Sequence, residues 1–426
     1  MKLFYPNLAF EDELNSASKK VTSAATIAMS QLAPLMAWAG DRNSICVVPE
    51  LPAGMPEFCV GRCVTVIDEA ANDAWNLQPW GWSDSALELA SQNSSILCNA
   101  PDLSAVRLVN RRSFLNLLDE AIDLNNGDRH QFSYRCTSLS EVSQVIQQFQ
   151  KQGGMKWVAK PEFSHAGRNR LIGTGVDFNS QQTGWLQGNF RRGDAVCVEP
   201  WVSIQHEGSL HFDILPNADA AVEVVGRTGL LNDDAGRYRG SFQPLQLNTV
   251  EASYDVISLL TEYGRQICLD LQQAGYWGPV GLDFFVYVAS NGQLFLRFCN
   301  DLNARWTMGR LSLEVANRLG ATGVFRWEHF VTGNSAILDR AIEKSLAETG
   351  IQGVDILRTS PESVGGRDVR LGNVAIWEHS PQSKNLLSAD PISPNAVSIS
   401  NAALISKVAQ KIRTSVQEQL SEKSSQ

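Results

Sequence analysis

The stretch Tyr276-Trp-Gly-Pro-Val-Gly-Leu-Asp283-Phe-Phe-Val-Tyr-Val-Ala-Ser-Asn291-Gly292-Gln-Leu-Phe-Leu-Arg-Phe-Cys-Asn-Asp301-Leu-Asn303-Ala-Arg305-Trp-Thr-Met-Gly-Arg310 decides how the rest of the chain is read. Two runs rich in β-branched and aromatic residues, 280–289 and 293–299, flank Asn291-Gly292, a dipeptide that closes tight hairpins. A three-residue loop, 291–293, sets Ser290 opposite Leu294 and Asp283 opposite Asp301. Side chains repeat every second residue along a strand, so Asn303 and Arg305 follow on the same face. Two carboxylates about 5 Å apart repel by roughly 3 kcal/mol at an effective dielectric near 20, and like charges directly opposite weaken a sheet. A divalent cation reverses that sign. Mg²⁺ takes oxygen ligands and keeps several waters, so two carboxylates, one amide oxygen and phosphate groups suit it. A hairpin whose acids are merely solvated at a strand end has the same sequence, and spacing alone leaves both possibilities open.

The segments Gly275–Asp283 and Asp301–Arg310 resemble the C-terminal, metal-binding half of the ATP-grasp superfamily of carboxylate–amine and carboxylate–thiol ligases. That family carries an Asp on one strand and Glu-x-Asn, often followed by Arg, on the next. Asp283 and Asn303 match directly, while Asp301 stands one methylene short at the Glu position. The resemblance covers roughly residues 105–340. It implies an α+β protein whose two lobes grip ATP, preceded by a small α/β domain. The expected units are 1–104, the preceding domain; 105–202, the nucleotide-binding lobe; 203–345, the metal-binding lobe; and 346–426, a C-terminal extension. Asp283, Asp301 and Asn303 would hold Mg²⁺, with Mn²⁺ as the alternative ion. One metal or two is left open by the shorter Asp301.

Composition narrows the partners. At 426 residues the chain has room for two or three packed lobes. A net charge of −9 with no basic run argues against nucleic acid. Eight cysteines are scattered without a C-x-x-C, which reads as reduced thiols in a cytoplasmic protein. Residues 21–40 carry no charge and match a membrane span in length. They are rich in Ala and interrupted by Thr22, Ser23, Thr26, Ser30, Gln31 and Pro34, so a buried helix ending near Pro34 is expected instead. Small-molecule carboxylate and amine substrates are the expected partners; the resemblance also makes a homodimer a common state.

In chain order, a helical stretch at 10–38, strands at 45–49 and 62–67 and a helix at 84–91 make the first unit. Its Trp75-Asn-Leu-Gln-Pro-Trp80-Gly-Trp82 cluster either pins a turn to the core or lines an acceptor pocket. Residues 109–125 are expected to be an amphipathic helix opened by Asn110 or Ser113, with Arg111 and Arg112 as phosphate-contact candidates. A helix over Leu139–Lys151 leads to a strand ending Lys160-Pro161, then to the loop Glu162–Arg170. The resemblance makes Lys160 a point charge on the phosphates, and it makes Ser164 to Gly167 a loop closing over them through backbone N–H groups. Arg168 and Arg170 add guanidinium contacts, while His165 is a candidate base or an incidental loop residue. Residues 195–202 resemble the strand that links the lobes and meets the adenine edge, with Glu199, Trp201 and Val202 there and Glu207 beyond as a ribose acceptor. Arg237 and Arg239, in a glycine-bounded loop, suit either a carboxylate substrate or solvent. Helices are expected at 250–273, 311–319, 335–349 and 401–420, strands at 351–357 and 374–377, and a Ser/Pro-rich linker at 379–400.

The resulting expectation is an ATP- and Mg²⁺-dependent ligase. It would activate a carboxylate as an acyl phosphate for attack by an amine, with Lys160 and Arg305 as catalytic residues. The alternatives are a catalytically degenerate ATP-binding module and a kinase on the same fold.

Overall fold

A computed structural model gives the fold, and it describes residues 1–15, 23–67, 74–115, 120–163, 169–216, 222–233, 236–245, 247, 255–289, 291–349, 353–378 and 399–424. The first unit is a five-stranded parallel sheet in the order Arg62–Val64, Ile45–Val47, Lys2–Tyr5, Trp75–Pro79, Ile96–Leu97. Its central strands bury Leu3, Phe4, Ile45, Cys46, Trp75 and Leu77 in the core. The expected 10–38 helix is three pieces: Phe10–Leu14, Ser23–Leu32 and a 3₁₀ segment Ala33–Ala39 that tightens where Pro34 removes a donor.

A second, antiparallel sheet runs Leu171–Thr174, Lys156–Pro161, Val196–Pro200, Tyr134–Cys136. Trp157, Ala159, Val196 and Val198 alternate onto one face, where they pack with Val142, Ile146 and Phe149 of helix Leu139–Lys151. Lys160 and Glu199 are left on the other face.

The third sheet is antiparallel and has ten strands. Its order is Val354–Arg358, Leu371–Glu378, Phe325–Val331, Tyr238–Gln243, Val222–Asn232, Ser203–Ile214, Gly278–Val288, Leu294–Asn303, Glu120–Asp123, Arg129–Gln131. Helix Val256–Gln273, capped by Asp255, covers part of it. Its Gly264 is required by contact: a Cβ there would stand 2.4 Å from the Phe212 ring. Helix Ile399–Ser424 packs on Ser335–Thr349 and on the far strands through Ile405, Val408 and Ile412.

Three expectations are corrected. Residues 109–125 are not one helix. Leu103–Val109 and Arg112–Leu115 are helical, Asn110 closes the first of these, and Glu120–Asp123 is a strand paired with Phe295–Arg297. Tyr238–Gln243 is a strand instead of a loop; Arg237 pairs locally with Asp233, and Arg239 lies 3.8 Å from Glu328. The hairpin turn is also longer than three residues, since Val288 faces Leu294 and Ala289 N–H bonds Gln293 O. The register then shifts between Asp283 and Phe285, which brings Asp283 opposite Asp301 after all. Ser290 and most of the 379–400 linker lie outside the described residues.

Candidate functional site

Strand alternation aims the polar residues of both antiparallel sheets into one cleft of about 840 Å³. Its lining includes Lys160, Glu199, Trp201, Val202, Glu207, Asp283, Asp301, Asn303 and Arg305, together with Glu11 and Trp80 of the first unit. Ser164, His165, Gly167 and Arg168 fall outside the described residues.

On one wall every charge is met. Lys160 Nζ lies 2.7 Å from Glu199 Oε2 and donates to Asn300 Oδ1 at 3.0 Å. Arg297 donates to both Glu199 oxygens, at 2.9 and 3.0 Å, and also to Asn300 Oδ1 at 2.9 Å. Glu199 is 2% exposed and Arg297 fully buried. Burial alone would raise the Glu199 carboxyl, but Arg297 and Lys160 hold it well below the usual carboxylate range. Burial lowers the Lys160 ammonium, and Glu199 opposes that shift. The Glu199 side chain is thus a buried counter-ion to Lys160 and Arg297. Lys160 is not a free charge, since it already holds an acid. Arg297 was missed in the sequence, although an Arg within Leu-Phe-Leu-Arg-Phe-Cys is the signal of a buried pair.

Next to this cluster, further along strand Leu294–Asn303, acids are in excess. Asp283, between Ser209 and Asp301 on neighbouring strands, has its carboxyl pushed up to about 7, first by burial and then by Asp301. Burial also raises Glu207, which accepts a hydrogen bond from Asn232 at 2.6 Å. Asp301 takes an ion pair from Arg112 at 3.1 Å, so Arg112 faces the acid pair. Among the described residues no cluster of three or more His, Cys, Asp or Glu could hold a metal. The donor set is instead two carboxylates and the Asn303 amide, all hard oxygens, which fits Mg²⁺ completed by phosphates and water. A carboxyl that burial and a neighbouring acid push up to about 7 is one whose ionised form such a cation would favour.

Arg305 lies at the third side. Its Nε is 2.5 Å from Glu11 Oε1, and its guanidinium is 5.8 Å from the Trp80 ring centroid. Trp306 N–H donates to Trp80 O at 2.8 Å, stitching the first unit to the end of the acid-bearing strand. The Trp75–Trp82 cluster is pinned to the core, with Trp75 5% and Trp80 and Trp82 6% exposed, and Trp80 also lines the cleft.

No family model matches this sequence, and no curated protein matches it. Among solved structures, N5-carboxyaminoimidazole synthetase from Staphylococcus aureus, complexed with ADP, is 14% identical at a TM-score of 0.46 over 83% of this chain and 92% of that one. A Mycobacterium tuberculosis structure described as glycinamide-RNase-transformylase T is 14% identical at 0.47, covering 98% and 100%. The Campylobacter jejuni biotin carboxylase–β-γ-ATP complex is 10% identical at 0.49, covering 90% and 88%. At such identities and scores, what this chain does has to come from its own residues. Its fold is mixed α+β, and no described helix is long and apolar enough to cross a membrane.

Proposed function

We propose that this chain is an ATP-grasp ligase that uses ATP and Mg²⁺ to activate a substrate carboxylate as an acyl phosphate, which an amine then attacks to form an amide. One observation carries the proposal: Asp283, Asp301 and Asn303 share a cleft with Lys160 and Arg305, and Asp283 is half-buried there with its carboxyl pushed up to about 7. Asp283, Asp301 and Asn303 would hold Mg²⁺, which when bound neutralises phosphate charge. Lys160, fixed by Glu199 and Asn300, presents an ammonium to the phosphate oxygens. Arg305 stabilises the carboxylate and the tetrahedral species that follows. Trp201 and Val202 line the cleft beyond the end of strand Val196–Pro200, where the nucleoside would rest. The proposed units keep the limits 1–104, 105–202, 203–345 and 346–426, although the large sheet also draws strands from 120–131 and 354–378.

Calorimetry with ATP in the presence and absence of Mg²⁺, followed by a phosphate-release screen over carboxylates and amines, tests this. Asp283→Asn should lower turnover at least a thousandfold with the far-UV circular dichroism unchanged. Near-normal ATP consumption in that variant would sink the assignment. The Arg112–Asp301 ion pair favours a second reading, a module that binds nucleotide without turnover. It predicts tight ATP binding and no phosphate release with any acid.

A further inference from the structure

The cleft is larger than the charged residues need, and its remaining wall has a different chemistry. Helix Ser23–Leu32 and the 3₁₀ turn after it place Met29, Leu32 and Met36 at i, i+3 and i+7, one face of a helix. All three line the cleft, joined by Leu8 from the first unit and by Met308 and Leu311 from the helix that follows the acid-bearing strand. Leu32, Met308 and Leu311 pack in one apolar cluster, while Met36, Leu8 and Trp80 pack in another that also holds Met308. The uncharged 21–40 stretch, which no step of the proposed reaction uses, thus supplies an apolar pocket with adaptable thioethers. Glu11 and Arg305 join this wall to the acid pair, and their side chains are 13% and 12% exposed.

We propose, resting on the ligase reading above, that the activated substrate is a free amino acid with an apolar side chain. Its side chain occupies the pocket between Met29, Leu32, Met36 and Met308. Its carboxylate faces Arg305 and its ammonium faces Glu11. A zwitterion carries two charges that both match this pair, exchanging one ion pair for two. A cleft of about 840 Å³ lies in the upper part of the range for small-molecule sites, which leaves room for an amino acid beside a nucleotide. A polar or charged side chain would lose its water against thioethers and leucines with nothing in return.

The test uses the full chain with Mg²⁺ and a non-hydrolysable ATP analogue, whose own affinity is measured first by calorimetry. Leucine, methionine, aspartate, lysine and 4-methylpentanoate, which is leucine without its amine, are then titrated with and without the analogue. Leucine and methionine should bind, aspartate and lysine at least tenfold more weakly, and 4-methylpentanoate at least tenfold more weakly than leucine. Glu11→Gln should weaken leucine at least tenfold while leaving 4-methylpentanoate within twofold. Met29→Glu and Leu32→Glu should each abolish leucine binding with analogue affinity within twofold, which also reports that the variant is folded. Analogue binding without any apolar amino acid binding overturns this proposal and leaves the ATP reading standing, and so does wild-type leucine affinity in both pocket variants. Failure of the analogue to bind removes the ATP reading, and leucine titrated alone still decides whether the pocket takes an amino acid.

Discussion

The two walls of the cleft are built from the same material, charged side chains on antiparallel strands, and they differ in how the charges are balanced. On one wall Lys160, Arg297 and Glu199 sit within 3.0 Å of a partner, and burial strengthens the pairs. Beside it, Asp283 faces Asp301 and Glu207, with Arg112 already paired to Asp301, and burial drives the Asp283 carboxyl up to about 7. The first wall is complete as it stands and positions Lys160. The second holds more acid than its cations balance, an excess that a proton meets in part and that a bound divalent cation would also meet.

The largest test of that contrast is one of sign. Glu199→Gln leaves Arg297 and Lys160 buried without their acid and should cost about 3–5 kcal/mol in chemical denaturation. Asp283→Asn in metal-free protein should instead gain about 1–2 kcal/mol. A folded pKa near 7 lies above the unfolded carboxyl value, so wild-type stability falls as pH rises between the two and the gain grows over that window. Equal losses in both variants would erase the difference between the walls. A smaller effect concerns His211 and His329, which burial holds down to about 3. Folded values below the unfolded one mean that stability is full above pH 6.5 and is lost as pH falls. Each histidine should cost about 2 kcal/mol at pH 5 relative to pH 7. His211→Gln should flatten the denaturation-midpoint profile across that range; an unchanged slope would exclude it as a source. Least of all, the half-exposed pair Lys344–Glu418, at 3.1 Å, is a surface control. Lys344→Ala should shift stability by less than about 1 kcal/mol, because solvent already screens the pair.

How far the sequence could be read depended on how local each feature is. The strand ending at Lys160, helix Leu139–Lys151 and the acid-bearing hairpin follow from alternation, helical spacing and a turn dipeptide within a dozen residues. Asp283 does face Asp301, as the spacing predicted, but through a longer turn offset by a register shift that the three-residue loop did not foresee. The helix expected over 109–125 failed because Glu120–Asp123 takes its conformation from Phe295–Arg297, far along the chain. Strand Phe325–Val331 was missed although its Phe-Arg-Trp-Glu-His alternation could have shown it. Nothing local announces that Glu199 will be claimed by Lys160 and Arg297, or that Glu11 will reach Arg305. Those partnerships exist only once three sheets are assembled.

The register shift beside Asp283 bears on how this chain can diverge. Strand Leu294–Asn303 spends two more residues than its neighbour between the turn and the acids, and one of these extra positions supplies Asn300, acceptor for both Lys160 and Arg297. Asp283 is meanwhile indexed from its other side, by the pairing of its strand with Ser209. Insertions or deletions at the hairpin tip can therefore accumulate without moving the carboxylates, while loss of a single residue between Arg297 and Asp301 would turn Asp301 and Asn303, though not Asp283, to the wrong face of the sheet.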